Sequence, residues 1–226
     1  MALKRKAYER FEFWKRNKSK QALLVTGARQ VGKTYLVREL MQSHYPNSVE
    51  INLADDAAAR RSFEAATDAD DLMLRISVAA DAHLVPHETA IFLDEIQECP
   101  NVMEHIKLLV DRGEYDFILS GSLLGVKLEG ADSLPGGYLT QVEMFPLDFE
   151  EFCWANGLPE AAWDEACKAF ASRTPVPDFI HEKLLKLFHR YLLVGGMPDA
   201  VNAFLGSGVI DQVRVSQSEI IRVYKR

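Results

Sequence analysis

One eight-residue segment, Gly27 to Thr34, places the strongest limit on how this chain of 226 residues can fold. It matches the pattern G-x-x-x-x-G-K-[ST], in which glycines let the backbone wrap closely around phosphate groups and point its amide hydrogens inward. The apolar run Ala22-Leu23-Leu24-Val25 precedes the segment, and residues 33–44 follow it with apolar side chains at helical spacing. A strand, a glycine-rich loop and a helix in this order predict the phosphate-binding loop of a P-loop NTPase.

The positions of this loop have expected roles in binding a nucleoside triphosphate with its magnesium ion. We expect Lys33 to reach the β- and γ-phosphates, which also makes it a catalytic candidate, and Thr34 to place its hydroxyl on Mg²⁺. Backbone amides and the positive end of the helix dipole should attract the phosphates as well. The residues predicted to bind the nucleotide are Gly27, Arg29, Gln30, Val31, Gly32, Lys33, Thr34 and Tyr35.

A pair of acids, Asp94 and Glu95, follows the apolar run Ile91-Phe92-Leu93 about sixty residues downstream. An uninterrupted apolar run is typical of a strand that is buried on both faces of a parallel sheet. Such a strand would deliver Asp94 to its carboxyl end, where the carboxylate can hold magnesium through water. Glu95 can polarise the attacking water as a general base. The alternative for Glu95 is an acid at a strand end with no chemical role.

A third candidate segment, Phe117 to Ser122, is an apolar run that ends in two hydroxyls. Ser120 and Ser122 could each contact the γ-phosphate or the lytic water, and we take Ser120 as the catalytic candidate. The alternative is a hydroxyl that bonds its own turn. We expect the Asp94 strand and the Ser120 strand to flank the phosphate-loop strand on its two sides.

Strands alternate with helices between residues 21 and 145, which predicts a three-layer α/β domain with a mainly parallel sheet. From Pro146 onward the strand signals stop, and the remainder predicts a small all-helical domain. The helices expected there are 148–156, 160–172, 178–194 and 209–224. The expected organisation is therefore a basic N-terminal helix over 1–20, a core over 21–145 and a helical lid over 146–226.

The charge of the chain is unevenly distributed around a net value of −7. The first 20 residues carry eight Lys or Arg against two Glu, whereas the middle of the chain is strongly acidic. Such a basic segment can bind nucleic acid, or it can be an amphipathic helix that lies on its own acidic domain. We favour the second interpretation, because nothing else in the sequence supports nucleic-acid binding.

The composition of the chain predicts a cytoplasmic protein without a membrane span or a secretory signal. No run of about 18 apolar residues is present to span a membrane, and no apolar stretch follows the basic N-terminus as in a secretory signal. Three well-separated cysteines, without a CxxC pair, fit reduced and buried thiols in a cytoplasmic protein.

Other candidate sites have weaker support. His83 and His87 are four residues apart and could share a helix face as metal ligands, but no third ligand stands at useful spacing. A usable N-K-x-D guanine motif is missing, which favours ATP over GTP. A small-molecule kinase would need substrate-binding residues, and we can name none.

The motifs together resemble a family of bacterial and archaeal predicted ATPases of the AAA-like group, related to the STAND class of signalling NTPases. The shared motifs are GxRxVGKT at Gly27–Thr34, DEIQ at Asp94–Gln97, SGS at Ser120–Ser122, PLxFEEF at Pro146–Phe152 and GGxP at Gly195–Pro198. The resemblance implies an ATPase core with a helical lid, and it makes Pro198 a candidate sensor near the nucleotide. Relatives usually continue into a further C-terminal domain, so we expect this chain to be the N-terminal part of a longer protein.

Two functions are consistent with these features. The first is an Mg²⁺-dependent ATPase whose turnover moves the helical lid or an effector domain. The second is a STAND-like switch that binds ATP or ADP tightly, hydrolyses it rarely, and is read by a partner or by self-association. Glu95 favours the first function. The second is favoured because no arginine can be assigned to the γ-phosphate, since Tyr138 stands where many relatives have a basic residue.

Overall fold

A computed structural model describes residues 2–17, 20–122 and 137–225 of the chain. Its strands are β1 Ala22–Gly27, β2 Asn47–Asn52, β3 Thr89–Asp94, β4 Asp116–Gly121 and β5 Leu139–Met144. The helices before β5 are α1 Lys6–Asn17, α2 Lys33–His44, α3 Ala57–Glu64, α4 Ala69–Ala79 and α5 Asn101–Arg112, with a 3-10 turn at Ile96–Glu98. The helices after it are α6 Phe149–Ala155, α7 Glu160–Ser172, α8 Asp178–Val194, α9 Pro198–Ser207 and α10 Ile210–Tyr224.

The chain divides into two compact units. The core unit is Ala7–Met144, and the helical unit comprises Met1–Lys6 with Phe145–Arg226. The division within the N-terminal segment falls inside α1, between Lys6 and Ala7. Most of the loop predicted over 121–137 lies outside the described residues.

The core unit contains the predicted α/β fold. Its five strands form one parallel sheet in the order β2-β3-β4-β1-β5, with helices packed against it. The predicted fold class is therefore confirmed. Side chains from one face of the sheet pack with α3, α4 and α5 around Phe63, Leu72 and Ile106. Helix α2 also packs against the strands β1 to β4.

The expected position of the Asp94 strand was wrong. The phosphate-loop strand β1 pairs with β4 and β5, and β4 separates it from β3, which carries Asp94. Leu119 of β4 lies between Leu24 and Leu93, one on each neighbouring strand. The connection through α5 is short, so β4 pairs with β3, the strand that precedes it in the chain. Since β4 is almost entirely buried, it lies inside the sheet, between β3 and β1.

The helical unit explains two of the sequence motifs by packing. The Leu147 N–H donates to the Gly196 carbonyl at 2.6 Å, and the Tyr191 hydroxyl donates to the Leu147 carbonyl at 2.8 Å. A Cβ at Gly196 would stand 2.1 Å from the Leu147 oxygen, so this close approach requires glycine. The GGxP and PLxFEEF segments therefore pack directly on each other.

One helix in this unit was not predicted. The helix α9 begins at Pro198, which the sequence pattern had assigned to a turn between helices. Proline is well suited to the first turn of a helix, because the amide it lacks has no intrahelical partner there. No strand lies in residues 146–225, the part of this region that the structure describes.

The PLxFEEF motif also contains a helix cap that is joined to the N-terminal segment. Asp148 and Glu151 form a capping box at the start of α6, with the Glu151 N–H donating to Asp148 at 2.8 Å. The buried guanidinium of Arg5 donates to Glu151 at 3.2 Å and to the Phe145 carbonyl at 2.5 Å. This network anchors residues 2–6 in the helical unit.

Several basic residues of the N-terminal segment are paired with groups of the chain itself. In the helical unit, Lys4 pairs with Glu160, and Lys6 lies 2.6 Å from Asp148. In the core unit, Lys15 lies 3.1 Å from the Asp116 carboxylate. The apolar side of α1 is buried at Phe11 and Trp14. These pairs support the interpretation of the segment as a helix that neutralises the chain's own acidic surface.

The burial of the three cysteines can be compared with the expectation that all of them are buried thiols. Burial raises the pKa of Cys99 to about 11 and that of Cys153 to about 12. Cys167 is exposed, so the expectation that all three are buried was wrong for it. Among the described helices, none has the length and apolar character needed to cross a bilayer.

We predict that Arg5→Met lowers the free energy of unfolding by about 3–5 kcal/mol, because the buried Glu151 carboxylate loses its cation. Thermal and urea unfolding of the variant would measure this loss. The control is Lys4→Met, which removes an exposed pair and should change stability little. Equal stability of the two variants would show that the Arg5 network does not stabilise the helical unit.

Candidate functional site

The backbone of the phosphate loop explains its glycines. Gly27 has φ 148°, and a Cβ there would stand 2.2 Å from the Met144 carbonyl oxygen, so no larger residue fits. Gly32 has φ 95° and caps the start of α2. Gln30, with φ 64°, adopts a left-handed conformation that side chains rarely take. Two glycines and a turn of left-handed backbone thus shape the loop that leads into α2.

The side chain of Lys33 folds back over this loop. Its Nζ donates to the carbonyls of Gly27 at 3.0 Å and Ala28 at 3.1 Å, and the residue is buried. Burial lowers the pKa of Lys33, nearby Glu95 and Asp94 oppose that shift, and Arg29 adds to it. The cation is therefore held at the loop with little hydration, where phosphate oxygens could replace the two carbonyls as its partners.

Asp94 joins three of the predicted motifs. It is buried at the end of β3, and its Oδ2 accepts from the Thr34 hydroxyl at 2.8 Å. Its Oδ1 accepts from the Ser120 hydroxyl and from the Glu95 N–H, the latter at 3.1 Å. Since the ladder of β3 and β4 pairs Leu93 with Leu119, Asp94 and Ser120 are the next residues on adjacent strands. The structure thus brings Thr34, Asp94, Glu95 and Ser120 together.

Ser120 has a specific partner in the site. It is fully buried, and its hydroxyl donates to Asp94 on the neighbouring strand. The alternative, in which the Ser120 hydroxyl bonds to its own turn, is therefore wrong. A contact between Ser120 and a γ-phosphate stays a prediction.

Glu95 stands at the rim of the site in an unusual backbone conformation. Its φ and ψ of 56° and 50° are left-handed, which a residue with a Cβ adopts only when its surroundings hold it there. Its Oε2 accepts from the Gln97 side-chain amide at 2.6 Å. Sequence reasoning missed this role of Gln97, which appeared only as the last position of the DEIQ motif. The only feature of the sequence that could have indicated this role is that Gln97 stands two residues after Glu95.

The other predicted nucleotide-binding residues divide by burial. Val31 is fully buried, so only its backbone can face a ligand, whereas Arg29 and Tyr35 are exposed beside the loop. Pro198 lies at the start of α9 in the helical unit. Its role as a nucleotide sensor stays a prediction.

The two histidines do not share a helix face. α4 ends at Ala79, and both His83 and His87 lie in the exposed connection that follows it. Within the described ranges, no group of three His, Cys, Asp or Glu side chains is arranged to hold a metal ion.

The donors at Asp94 fit a magnesium-bound triphosphate. Carboxylate and hydroxyl oxygens are the protein ligands that Mg²⁺ prefers, and it takes its other ligands from water and phosphate. Thr34 and Asp94 offer such oxygens 2.8 Å apart. The buried ammonium of Lys33 and the glycine-shaped loop stand beside them and suit the phosphates.

The sheet order, the loop and the acidic strand end define a P-loop NTPase of the AAA-like type. The family model described as "AAA domain" matches residues 19–153. The chain belongs to that family.

Comparison with solved structures finds, among others, the structure of C. elegans PCH-2. The similarity has a TM-score of 0.42 and 13% sequence identity and covers 93% of this chain. The chain spans 65% of the length of that protein chain. No match was found among curated proteins.

We predict that Lys33→Ala removes most of the affinity for ATP, because the loop holds the Lys33 ammonium where we expect the phosphates to bind. Titration of ATP·Mg into wild type and variant would measure the loss. Lys107→Ala, which removes an exposed lysine of α5, is the matched control and should bind as the wild type does. Unchanged affinity in Lys33→Ala would mean that ATP does not bind at this loop.

Proposed function

We propose that this chain binds ATP with Mg²⁺ and hydrolyses it slowly, in a cycle coupled to movement of the helical unit or of an effector domain. The single observation that carries the proposal is the hydrogen-bonded junction at Asp94. There the Thr34 hydroxyl of the phosphate loop meets the acidic strand end at 2.8 Å, directly beside Glu95. Binding alone needs Asp94, whereas an acid in the place of Glu95 suits hydrolysis.

ATP binding requires rearrangements of the loop side chains. Lys33 exchanges the Gly27 and Ala28 carbonyls for the β- and γ-phosphate oxygens, which are stronger, charged partners. Thr34 and Asp94 would hold the magnesium ion, the aspartate through water, and the ion would neutralise part of the triphosphate charge. The loop amides and the start of α2 donate to the remaining phosphate oxygens.

Hydrolysis is the attack of a water oxygen on the γ-phosphorus, with ADP as the leaving group. Glu95 would orient this water and take its proton. Ser120, through its bond to Asp94, would keep the ends of β3 and β4 in register during the reaction. A preorganised arrangement of this kind accelerates the reaction by avoiding reorganisation at the moment of attack.

Charge neutralisation in the transition state limits the rate. Arg29 is the arginine within the phosphate loop. Four other arginines of the core unit are hydrogen-bonded to partners outside the loop. Each is hydrogen-bonded to acidic or carbonyl groups: Arg38 to Glu50, Arg60 to Leu53, Arg75 to Asp71 and Arg112 to Asp70. An arginine finger contributes roughly 10³- to 10⁵-fold in related reactions, so its supply by a neighbouring molecule would control turnover.

The same pairing of the arginines favours a second candidate function. In a STAND-like switch, ATP or ADP would be bound tightly and hydrolysed rarely, and its identity would be read by a partner domain or by self-association. The two functions share the binding site and differ in the rate of hydrolysis.

We predict that Glu95→Gln keeps ATP affinity and loses about 10²-fold or more in turnover, because the general base is removed. Asp94→Asn should instead weaken the dependence of binding on Mg²⁺. Titrations with and without Mg²⁺, together with phosphate release, distinguish the two variants. Hydrolysis by Glu95→Gln at the wild-type rate would exclude Glu95 as the base.

We predict a turnover below about 1 s⁻¹ that rises with protein concentration, because a second copy would supply the missing cation. Specific activity measured across a range of protein concentrations tests this. Turnover of tens per second, independent of concentration, would mean that the chain carries its own arginine finger, for which Arg190 and Arg222 of the helical unit are candidates.

A further inference from the structure

The carboxylate of Glu95 is held by a side chain to which nucleotide binding assigns no role. The Gln97 Nε2 donates to Glu95 Oε2 at 2.6 Å, and the Gln97 Oε1 accepts from the Ser122 N–H at 3.2 Å. A single side-chain amide therefore joins the candidate base, which follows β3, to the residue that follows β4.

The polarity of this bridge is fixed by its two partners. An ionised carboxylate only accepts hydrogen bonds, and a backbone N–H only donates them. The amide nitrogen of Gln97 must therefore face Glu95, and its oxygen must face Ser122. The reversed amide would lose both hydrogen bonds.

The bridge rests on a well-anchored turn. The Glu98 N–H donates to the Glu95 carbonyl at 3.0 Å, which closes the 3-10 turn that carries Gln97. Ile96, the first residue of the turn, and Cys99, which follows it, are buried in the core cluster of this unit. The position of the Gln97 backbone is thus set by the core, and its side chain can fix the direction of Glu95.

The bridge also extends the connection between the two strands. Their ladder ends at the pair Leu93 and Leu119, and beyond it Ser120 bonds Asp94 and Gln97 bonds Ser122. Asp94 is therefore tied to the end of β4 by a direct hydrogen bond, and Glu95 by two hydrogen bonds that run through Gln97.

We propose that Gln97 is a positioning residue for Glu95, which sets the direction of its carboxylate relative to the end of β4. Turnover depends on this bridge, and ATP binding does not. The inference rests on the proposed function, because it takes Glu95 as the base.

The test compares Gln97→Met with the wild type. Methionine has similar length but forms neither hydrogen bond. With protein in excess over ATP·Mg, the rate of single-turnover hydrolysis should fall about ten- to a hundredfold, as expected for a catalytic group displaced by about 1 Å. The dissociation constant for ATP should change less than about twofold. Gln42→Met, at an exposed glutamine of α2, is the matched control and should keep both values.

A second variant keeps the test valid if Gln97→Met is less stable than the wild type. If Gln97→Met unfolds at a lower temperature than the wild type, Gln97→Asn is measured instead, because its shorter side chain cannot span both partners. It should show the same selective loss of rate. A fall in ATP affinity equal to the fall in rate, in a variant that folds normally, would overturn the inference.

A double-mutant comparison separates this inference from the proposed function. In a Glu95→Gln background, Gln97→Met should slow hydrolysis no further, because its only effect is on the base. An additional loss by the same factor would show that Gln97 acts independently of Glu95. If Glu95→Gln loses turnover while Gln97→Met alone retains it, only the role of Gln97 is wrong. Wild-type hydrolysis by Glu95→Gln, or none by the wild type, would overturn both.

Discussion

The carboxylate of Asp94 is buried at the end of a central strand, where an ionised group without partners would be strongly unfavourable. Its oxygens accept hydrogen bonds from Thr34, Ser120 and the backbone of Glu95. These partners come from the phosphate loop, from β4 and from the turn after β3. Because each of them satisfies the same buried charge, the loop, the candidate base and the two strand ends are held in one arrangement.

The motifs of the helical unit are explained by packing rather than by chemistry. Gly196 lets the backbone approach Leu147 closely, and Glu151 combines a helix cap with the buried pair to Arg5. These contacts are made entirely within the helical unit. Their presence in the sequence therefore needs no nucleotide contact, and a sensor role for Pro198 has to be tested separately.

The sequence was sufficient to predict the phosphate loop and the parallel sheet, because each imposes a local pattern that can be recognised without tertiary contacts. The order of the strands could not be predicted, because β3 and β4 are both apolar. Hydrophobicity indicates that a strand is buried, but it does not indicate which strands pair with it. Helix α9 was missed because Pro198 suits a turn and a first helical turn equally well. Gln97 was missed because its role depends on Ser122, a contact between segments distant along the chain.

The most direct test of this account is a crystal structure of the chain with Mg²⁺ and a non-hydrolysable ATP analogue. The account predicts that Lys33 contacts the β- and γ-phosphates and that the Thr34 hydroxyl ligates the ion at about 2.1 Å. Asp94 should lie next to the ion, with Glu95 facing the γ-phosphate. A nucleotide bound elsewhere, or an ion remote from Asp94, would contradict the account.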